Sequence, residues 1–144
     1  MFIKLNNEYR FNWDLAANDV NHKCEHYITP EQDSLQVDWS LLDGWLFLNP
    51  PYGRDMKKWI RKAYLSAVAK TNGGGIVLVI PSRTGTSYWH DYIFGKAEIE
   101  FLRGRLHFEF NGNPGAPAPF DSAIIVYHAG DNKRKEGTGI ENNN

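Results

Sequence analysis

The chain has 144 residues, 42% of them apolar and 14% aromatic, with five Trp, which is one domain's worth of core and excludes a disordered protein. Sixteen Lys and Arg against seventeen Asp and Glu leave a formal net charge of −1, so binding to nucleic acid by bulk charge is excluded and any basic patch must be local. The single cysteine, Cys24, excludes an internal disulfide and suits a reducing compartment, and no apolar run approaches the roughly 18 residues of a membrane span.

The N-terminal "MFIKLNNEYRF" lacks the apolar core of a signal peptide, so a soluble cytoplasmic protein with no membrane partner is expected. "FNWDLAA" reads as a first strand and turn, "CEHYIT" as a second strand and "SLQVDW" as a weak third. "WLFL" is a fully apolar strand, cut off by the prolines that follow. Asp55 to Lys70 is the best helix. Met56, Trp59, Ile60, Ala63, Tyr64, Ala67 and Val68 share one face, while Lys57, Lys58, Arg61, Lys62 and Lys70 occupy the rest. Asp55 stands at the N-cap and Asn72-Gly73 supply the stop.

"GIVLVIP" is a β-branched strand buried on both faces, and "SYWHDYIF" is a short helix. "EIEFL" and "LHFEF" flank Arg103-Gly104-Arg105, and "SAIIVYH" closes the core. The Gly/Pro-rich loop "NGNPGAPAPFD" is too short for a crossover helix, so "LHFEF" and "SAIIVYH" are expected to pair antiparallel. The strand–helix–strand at the centre is expected to be parallel. An α/β sheet with an antiparallel edge strand results, over residues 1–128. Residues 129–144, polar and nearly free of apolar side chains, are expected to be a mobile tail.

The motif that asks for a chemical explanation is Asn49-Pro50-Pro51-Tyr52, at the carboxyl end of "WLFL", where α/β sheets gather ligands. Two prolines fix the backbone and remove two N–H donors. The amide oxygen of Asn49 and the carbonyls of Asn49 and Pro50 then face outward as acceptors, and Tyr52 adds a flat face. An exocyclic amine on a planar ring suits both.

An apolar strand ending in Asn/Asp-Pro-Pro-Tyr resembles the amino-group methyltransferases that use S-adenosyl-L-methionine. The ordered set "DLAANDVNHKC", "YITPEQDSL", "WLFLNPPYG", "WIRKA", "IPSRTGTSYWHD", "FLRGRLHF" and "APFDSAIIVY" is similar, from about Phe11 to Tyr127, to the phage-type DNA N6-adenine methyltransferases. The resemblance implies a compact Rossmann-like class I methyltransferase sheet and one-step transfer of methyl to the amine of an adenine flipped out of double-stranded DNA. Asn49 and Pro50, on the backbone stiffened by Pro51, would hold the amine, and Tyr52 would stack on the base. No metal is required. The host cell's cytoplasm is the compartment if the chain is phage-encoded.

For the cofactor the resemblance implies Asp14 at its ammonium, Ala16 and Ala17 close to its backbone path, and Asp33 at its adenine amino group, with Asn49 completing the pocket. Two features depart from the family. There is no Gly-x-Gly after the first strand, and "CEHYIT" offers only Glu25 as an acid for the ribose. Family members also carry an upstream Trp-x-Thr-Pro segment that closes over the cofactor; the sequence starts at Met1-Phe2, downstream of it, and a compact fold lacking that segment is expected.

On the DNA side, Ser82, Arg83, Thr84, Arg103 and Arg105 lie on loops at the catalytic end, with Thr86 a further phosphate contact. Tyr88 or Trp89 is a candidate base-stacking residue. Lys57, Lys58, Arg61 and Lys62 read as a solvated face, Trp59 as core, Cys24 as a small buried residue, and His90 as a packed histidine and not a metal ligand. Two readings compete with DNA methylation: a methyltransferase acting on RNA or a protein amide, and a weak or inactive remnant that binds nucleic acid. The DNA target sequence and the oligomeric state are not encoded in any recognisable motif.

Overall fold

The computed structural model describes residues 1–17, 22–110 and 113–130, and for 108–110 and 113–116 the backbone alone. It is a mixed α/β protein: α1 (Phe2–Tyr9), β1 (Trp13–Asp14), β2 (His26–Tyr27), β3 (Trp45–Leu48), α2 (Met56–Ala69), β4 (Gly75–Pro81), β5 (Glu98–Phe101), β6 (His107–Phe110), β7 (Asn113–Pro117) and β8 (Ser122–His128). Six strands form one sheet in the order β2-β1-β3-β4-β8-β5, and β6 with β7 forms a separate ribbon.

The sequence pattern explains the central layer. β4 and β8 are buried on both faces, and their alternate residues sort into two cores. Ile76, Leu78, Ile80, Ile125 and Tyr127 join Ile60, Ala63 and Ala67 of α2 on one side. Val77, Val79, Ile124 and Val126 meet Leu5 of α1, Phe11 and Phe47 on the other. β3, α2 and β4 form the expected parallel unit.

Four expectations are corrected. The antiparallel strand is not at the edge: β8 pairs antiparallel with both β4 and β5, so it lies one strand in, and β5 is the edge. "LHFEF" does not pair with "SAIIVYH"; β6 pairs with β7, which arises from the Gly/Pro-rich segment read as loop. Gly104, between β5 and β6, has a φ of 79°, in the left-handed region that glycine enters freely.

"SLQVDW" is not a strand. It forms two 3₁₀ turns, Ser34–Gln36 and Trp39–Leu41, the second capped by Asp38 Oδ1, which accepts from the Ser40 N–H at 3.1 Å. Lys70, finally, is not on the solvated face. It is 1% exposed, and its Nζ donates to the Leu42 carbonyl and Asn72 Oδ1. Burial pushes its pKa below the ordinary lysine value. Asn72 passes the link to Asp43 Oδ1 at 3.1 Å, so the helix stop is a polar clamp on the far end of the sheet from the motif.

Backbone bonds continue past His128: the Ala129 N–H donates to Gly74 and the Gly130 N–H to Ala67. Of the expected tail, residues 129–144, the first two are thus bonded to the domain, and residues 131–144 lie outside the described residues. Among the described residues no helix is long and apolar enough to cross a membrane.

Cys24 is buried in the α1-side core. Burial first, and the charge of Asp14 second, push its thiol up to about 12. A thiol whose pKa is raised by folding keeps its proton where the unfolded chain has lost it, so the contribution of Cys24 to stability falls as pH rises above its ordinary value of about 8.5. Iodoacetamide at pH 8 is expected to leave the folded chain unmodified for hours and to alkylate it rapidly in urea. Fast alkylation of the native chain would contradict this placement.

Candidate functional site

The chain runs from β1 outward to β2, then returns across β1 to place β3 on its other side. The connections leaving the carboxyl ends of β1 and β3 therefore run in opposite directions along the sheet, which leaves a crevice at the switch point. A cavity of about 470 Å³ occupies it. Its walls are Leu15, Ala16 and Ala17 after β1, Ile28, Thr29 and Pro30 after β2, then Asp33, Ser34, Asn49, Pro51 and Trp59.

Asp14 does not line this cavity. It is 2% exposed, and its carboxylate accepts from the Ala16 N–H at 3.3 Å and the Lys23 N–H at 2.9 Å. Burial raises its pKa, against those two bonds, which lower it. The acid thus ties down the turn after β1, and the backbone it anchors presents Ala16 and Ala17 to the cavity. Asp33 stands at the rim with φ 50° and ψ 80°. This left-handed conformation costs most residues about 1 kcal/mol or more and is tolerated best by Asn and Asp. Glu25, the candidate ribose acid, is exposed ahead of β2 and is not part of the wall.

Asn49 is shared between this cavity and an aromatic cluster beside it. Tyr52 donates its hydroxyl hydrogen to Asn49 Oδ1 across a long 3.4 Å. The Tyr52 ring meets Phe120 edge-on, centroids 5.0 Å apart and planes at 82°, and the Arg83 guanidinium lies 5.6 Å from the centre of the Phe120 ring. Pro50 is buried, while Asn49, Pro51 and Tyr52 are exposed. Among the described residues neither the Asn49 nor the Pro50 carbonyl accepts a hydrogen bond, so the acceptors read from the sequence are available. Burial against Phe120 and its neighbours raises the Tyr52 phenol pKa, keeping it neutral.

Phe120 escaped the sequence reading. Its signal was present: "PFD" immediately precedes β8, and β8 begins at the same end of the sheet where β4 finishes, Ser122 pairing with Pro81. Ser82 sits there too, its N–H donating to the Asp121 carbonyl at 2.9 Å. Thr84 is exposed on the following turn, and Thr86 is spent on that turn, its hydroxyl donating to the Arg83 carbonyl. Tyr88 and Trp89 are not available to stack on a base: both are buried in the α2-side core.

Arg103 and Arg105 follow β5 at the same end. Arg105 forms an exposed ion pair with Asp121 at 3.7 Å, and both line a second groove of about 210 Å³ with Lys4 and Glu8 of α1. On α2, Lys57 reaches Ser87 and Asp91, and Lys58 pairs with Asp55. Lys62 is less solvated than expected: its Nζ donates to the Leu35 carbonyl at 3.0 Å and lies over the Trp39 ring. Trp59 is core, as expected, and also forms a wall of the cavity. No group of three His, Cys, Asp or Glu residues suited to a metal occurs among the described residues.

Comparison with known proteins adds two findings. A family model described as DNA N-6-adenine-methyltransferase (Dam) matches residues 1–133. The DNA N-6-adenine-methyltransferase of Haemophilus phage HP1 (strain HP1c1) is 29% identical over 94 residues, which is 65% of this chain and 51% of that protein. The chain thus spans about half the length of the curated relative it matches.

Proposed function

Because this chain belongs to the DNA N-6-adenine-methyltransferase (Dam) family, we propose that it transfers a methyl group from S-adenosyl-L-methionine to the exocyclic amine of an adenine flipped out of double-stranded DNA. The observation that carries the reading is the position of Asn49, which borders the switch-point cavity and contacts the aromatic cluster through Tyr52. A residue placed so serves a donor in the cavity and a planar acceptor beside it. The sheet order supports a Rossmann-like class I methyltransferase fold, and the phage relative supports the cytoplasm of an infected bacterium as the compartment.

The cavity residues fit the cofactor. The volume of about 470 Å³ falls within the range of small-molecule sites. Leu15, Ile28, Pro30 and Trp59 supply apolar wall for a ring, and Asp33 supplies an acceptor for a ring amine. Asp14 holds the turn that lets Ala16 and Ala17 approach closely. S-adenosyl-L-methionine supplies a methyl group on a positively charged sulfur, which leaves readily without metal assistance.

The chain's own part is positioning and charge. Asn49 Oδ1 and the Pro50 carbonyl accept the two amine hydrogens, which holds the nitrogen lone pair toward the cavity. Pro51 keeps the turn rigid. The ring of Tyr52 offers a stacking face to the flipped base, and Phe120 braces that ring at right angles. Arg83, held over Phe120, and Ser82, Thr84, Arg103 and Arg105 border the cluster at the same end, where they contact the DNA backbone.

Incubation with radiolabelled cofactor and plasmid DNA, followed by nuclease digestion and separation of the nucleosides, tests the proposal. Label is expected in N6-methyladenine. Label on RNA or protein, or on no acceptor, would reject it.

A further inference from the structure

The main sheet ends on one side at β5, whose only partner strand is β8. The two pair antiparallel, residue against residue, from Glu98 opposite Val126 to Phe101 opposite Ala123. The next pair in this register is bonded, the Leu102 N–H donating to the Ser122 carbonyl at 3.0 Å. Bonded and non-bonded pairs alternate along an antiparallel ladder, so Glu98 and Glu100 spend their backbone groups on β8. Ile99 and Phe101 turn their N–H and C=O groups outward, and no described residue provides partners for them. Such an edge invites a further strand unless it is covered or charged.

Here the charge is one-sided. Ile99 and Phe101 lie opposite Ile125 and Ala123, on the α2 side of the sheet. The Phe101 ring is 61% exposed and stacks at 6.0 Å on Trp89. Glu98 and Glu100 lie opposite Val126 and Ile124, on the α1 side. Glu8 of α1 joins them there: burial first, and then the charges of Glu8, Glu98 and Glu100, push the Tyr9 phenol up to about 12. Glu98 is met by His128 at 3.1 Å. Among the described residues no Lys or Arg pairs with Glu8 or Glu100, although Lys4, Arg103 and Arg105 border the same groove.

These acids decide what can occupy the edge. A twofold-related copy that pairs Ile99 with Phe101 sets Glu100 directly against Glu100, and the neighbouring register sets Glu98 against Glu100. Like charges directly opposite one another are destabilising. We infer that the edge of β5 is a docking site for an extended segment of a partner protein in which basic and apolar residues alternate, added as a further antiparallel strand. Its apolar residues lie opposite Ile99 and Phe101 and exchange the backbone bonds, and its Lys or Arg residues lie opposite Glu98 and Glu100. β5 contributes nothing to the wall of the switch-point cavity, and its use by a partner does not depend on methyl transfer.

The probe is a short capped peptide of alternating valine and lysine, added to the isotope-labelled chain and followed by amide hydrogen exchange in NMR. Exchange at Ile99 and Phe101 is expected to slow at least about tenfold, while Glu98 and Glu100, already bonded to β8, stay as they are. N-methylation of the valines is expected to abolish binding and N-methylation of the lysines to leave it, because only the valine amides face β5. The lysine peptide is expected to bind about fivefold tighter than its glutamate counterpart, and Glu100→Lys to reverse that order. Phe101→Pro removes an outward N–H that β8 does not use, a place where an edge strand tolerates proline. It is expected to lose the binding that Phe101→Leu retains.

Ile99 and Phe101 amides already protected in the free chain would show the edge taken by another part of the chain or by a second copy, and would overturn the inference. So would a valine-methylated peptide that binds like its parent, or a charge preference that Glu100→Lys leaves unchanged.

Discussion

Asn49→Ala is expected to lower the rate of DNA methylation roughly a thousandfold, the order found when a single preorganised polar group is removed from a reacting centre. The substitution deletes the amide oxygen that accepts the amine and that also accepts from the Tyr52 hydroxyl, so orientation of amine and ring are weakened together. Cofactor affinity should fall much less, by under about tenfold, because one polar contact among several is removed. Leu15, Ala17, Ile28 and Asp33 keep their places in the wall. Asn49→Asp retains an acceptor oxygen at the same point and is expected to keep more turnover than Asn49→Ala. Initial rates with labelled cofactor, alongside calorimetric titration of adenosylhomocysteine, separate the two effects. Unchanged turnover in Asn49→Ala would remove the residue from the chemistry.

Gly75→Ala is expected to unfold the chain or cost at least about 3 kcal/mol, in the range of severe overpacking. Gly75 is the first residue of β4, paired with Trp45 of β3 on one side and His128 of β8 on the other. A methyl group there would collide with the carbonyl oxygen of Tyr127 and stand 2.8 Å from the Trp45 ring. Backbone cannot yield at a point where three strands meet without opening both ladders. Gly85→Ala provides the control, since nothing lies within 4 Å of its added methyl, and should change stability by less than about 0.5 kcal/mol. Urea unfolding followed by tryptophan fluorescence measures both. A Gly75→Ala chain as stable as the parent would show that the close approach is not enforced.

The parts of this fold legible in the sequence were those where local pattern and tertiary role agree. "GIVLVIP" and "SAIIVYH" are continuous apolar runs because both sheet faces are covered, and Met56 to Ala69 shows its helix period because α2 covers one of them. The motif at Asn49 was legible for a related reason, since its prolines state the backbone geometry directly. "SLQVDW" misled because Leu35, Val37 and Trp39 alternate as in a strand, whereas the left-handed Asp33 and the cap at Asp38 break the chain into turns. α1 carried too few residues to display a period. Pairing of β6 with β7 was hidden because β7, "NPGAP", is a Gly/Pro-rich segment without the alternation of a strand. Of the expected cofactor residues, Ala16, Ala17, Asp33 and Asn49 line one cavity because they follow neighbouring strand ends, whereas Asp14 lies behind its wall. Phe120 was missed because its importance lies in partners distant in sequence.

The reversed direction of β8 has a consequence for how such a chain can change. The Leu102 N–H is held by the Ser122 carbonyl at 3.0 Å, so the chain leaves the sheet and rejoins it at almost the same point, beside the motif. Everything between these two residues is a detour anchored at both ends, and the sheet is indifferent to its length. Closing a longer loop costs only about 0.6 kcal/mol for each doubling. The part of the detour before Phe120 can therefore be lengthened, shortened or exchanged for another while β4 and β8 remain zipped and Asn49 stays where it is. One reversed strand leaves the segment between its two anchors free to vary and makes the turn at Asn49 a fixture.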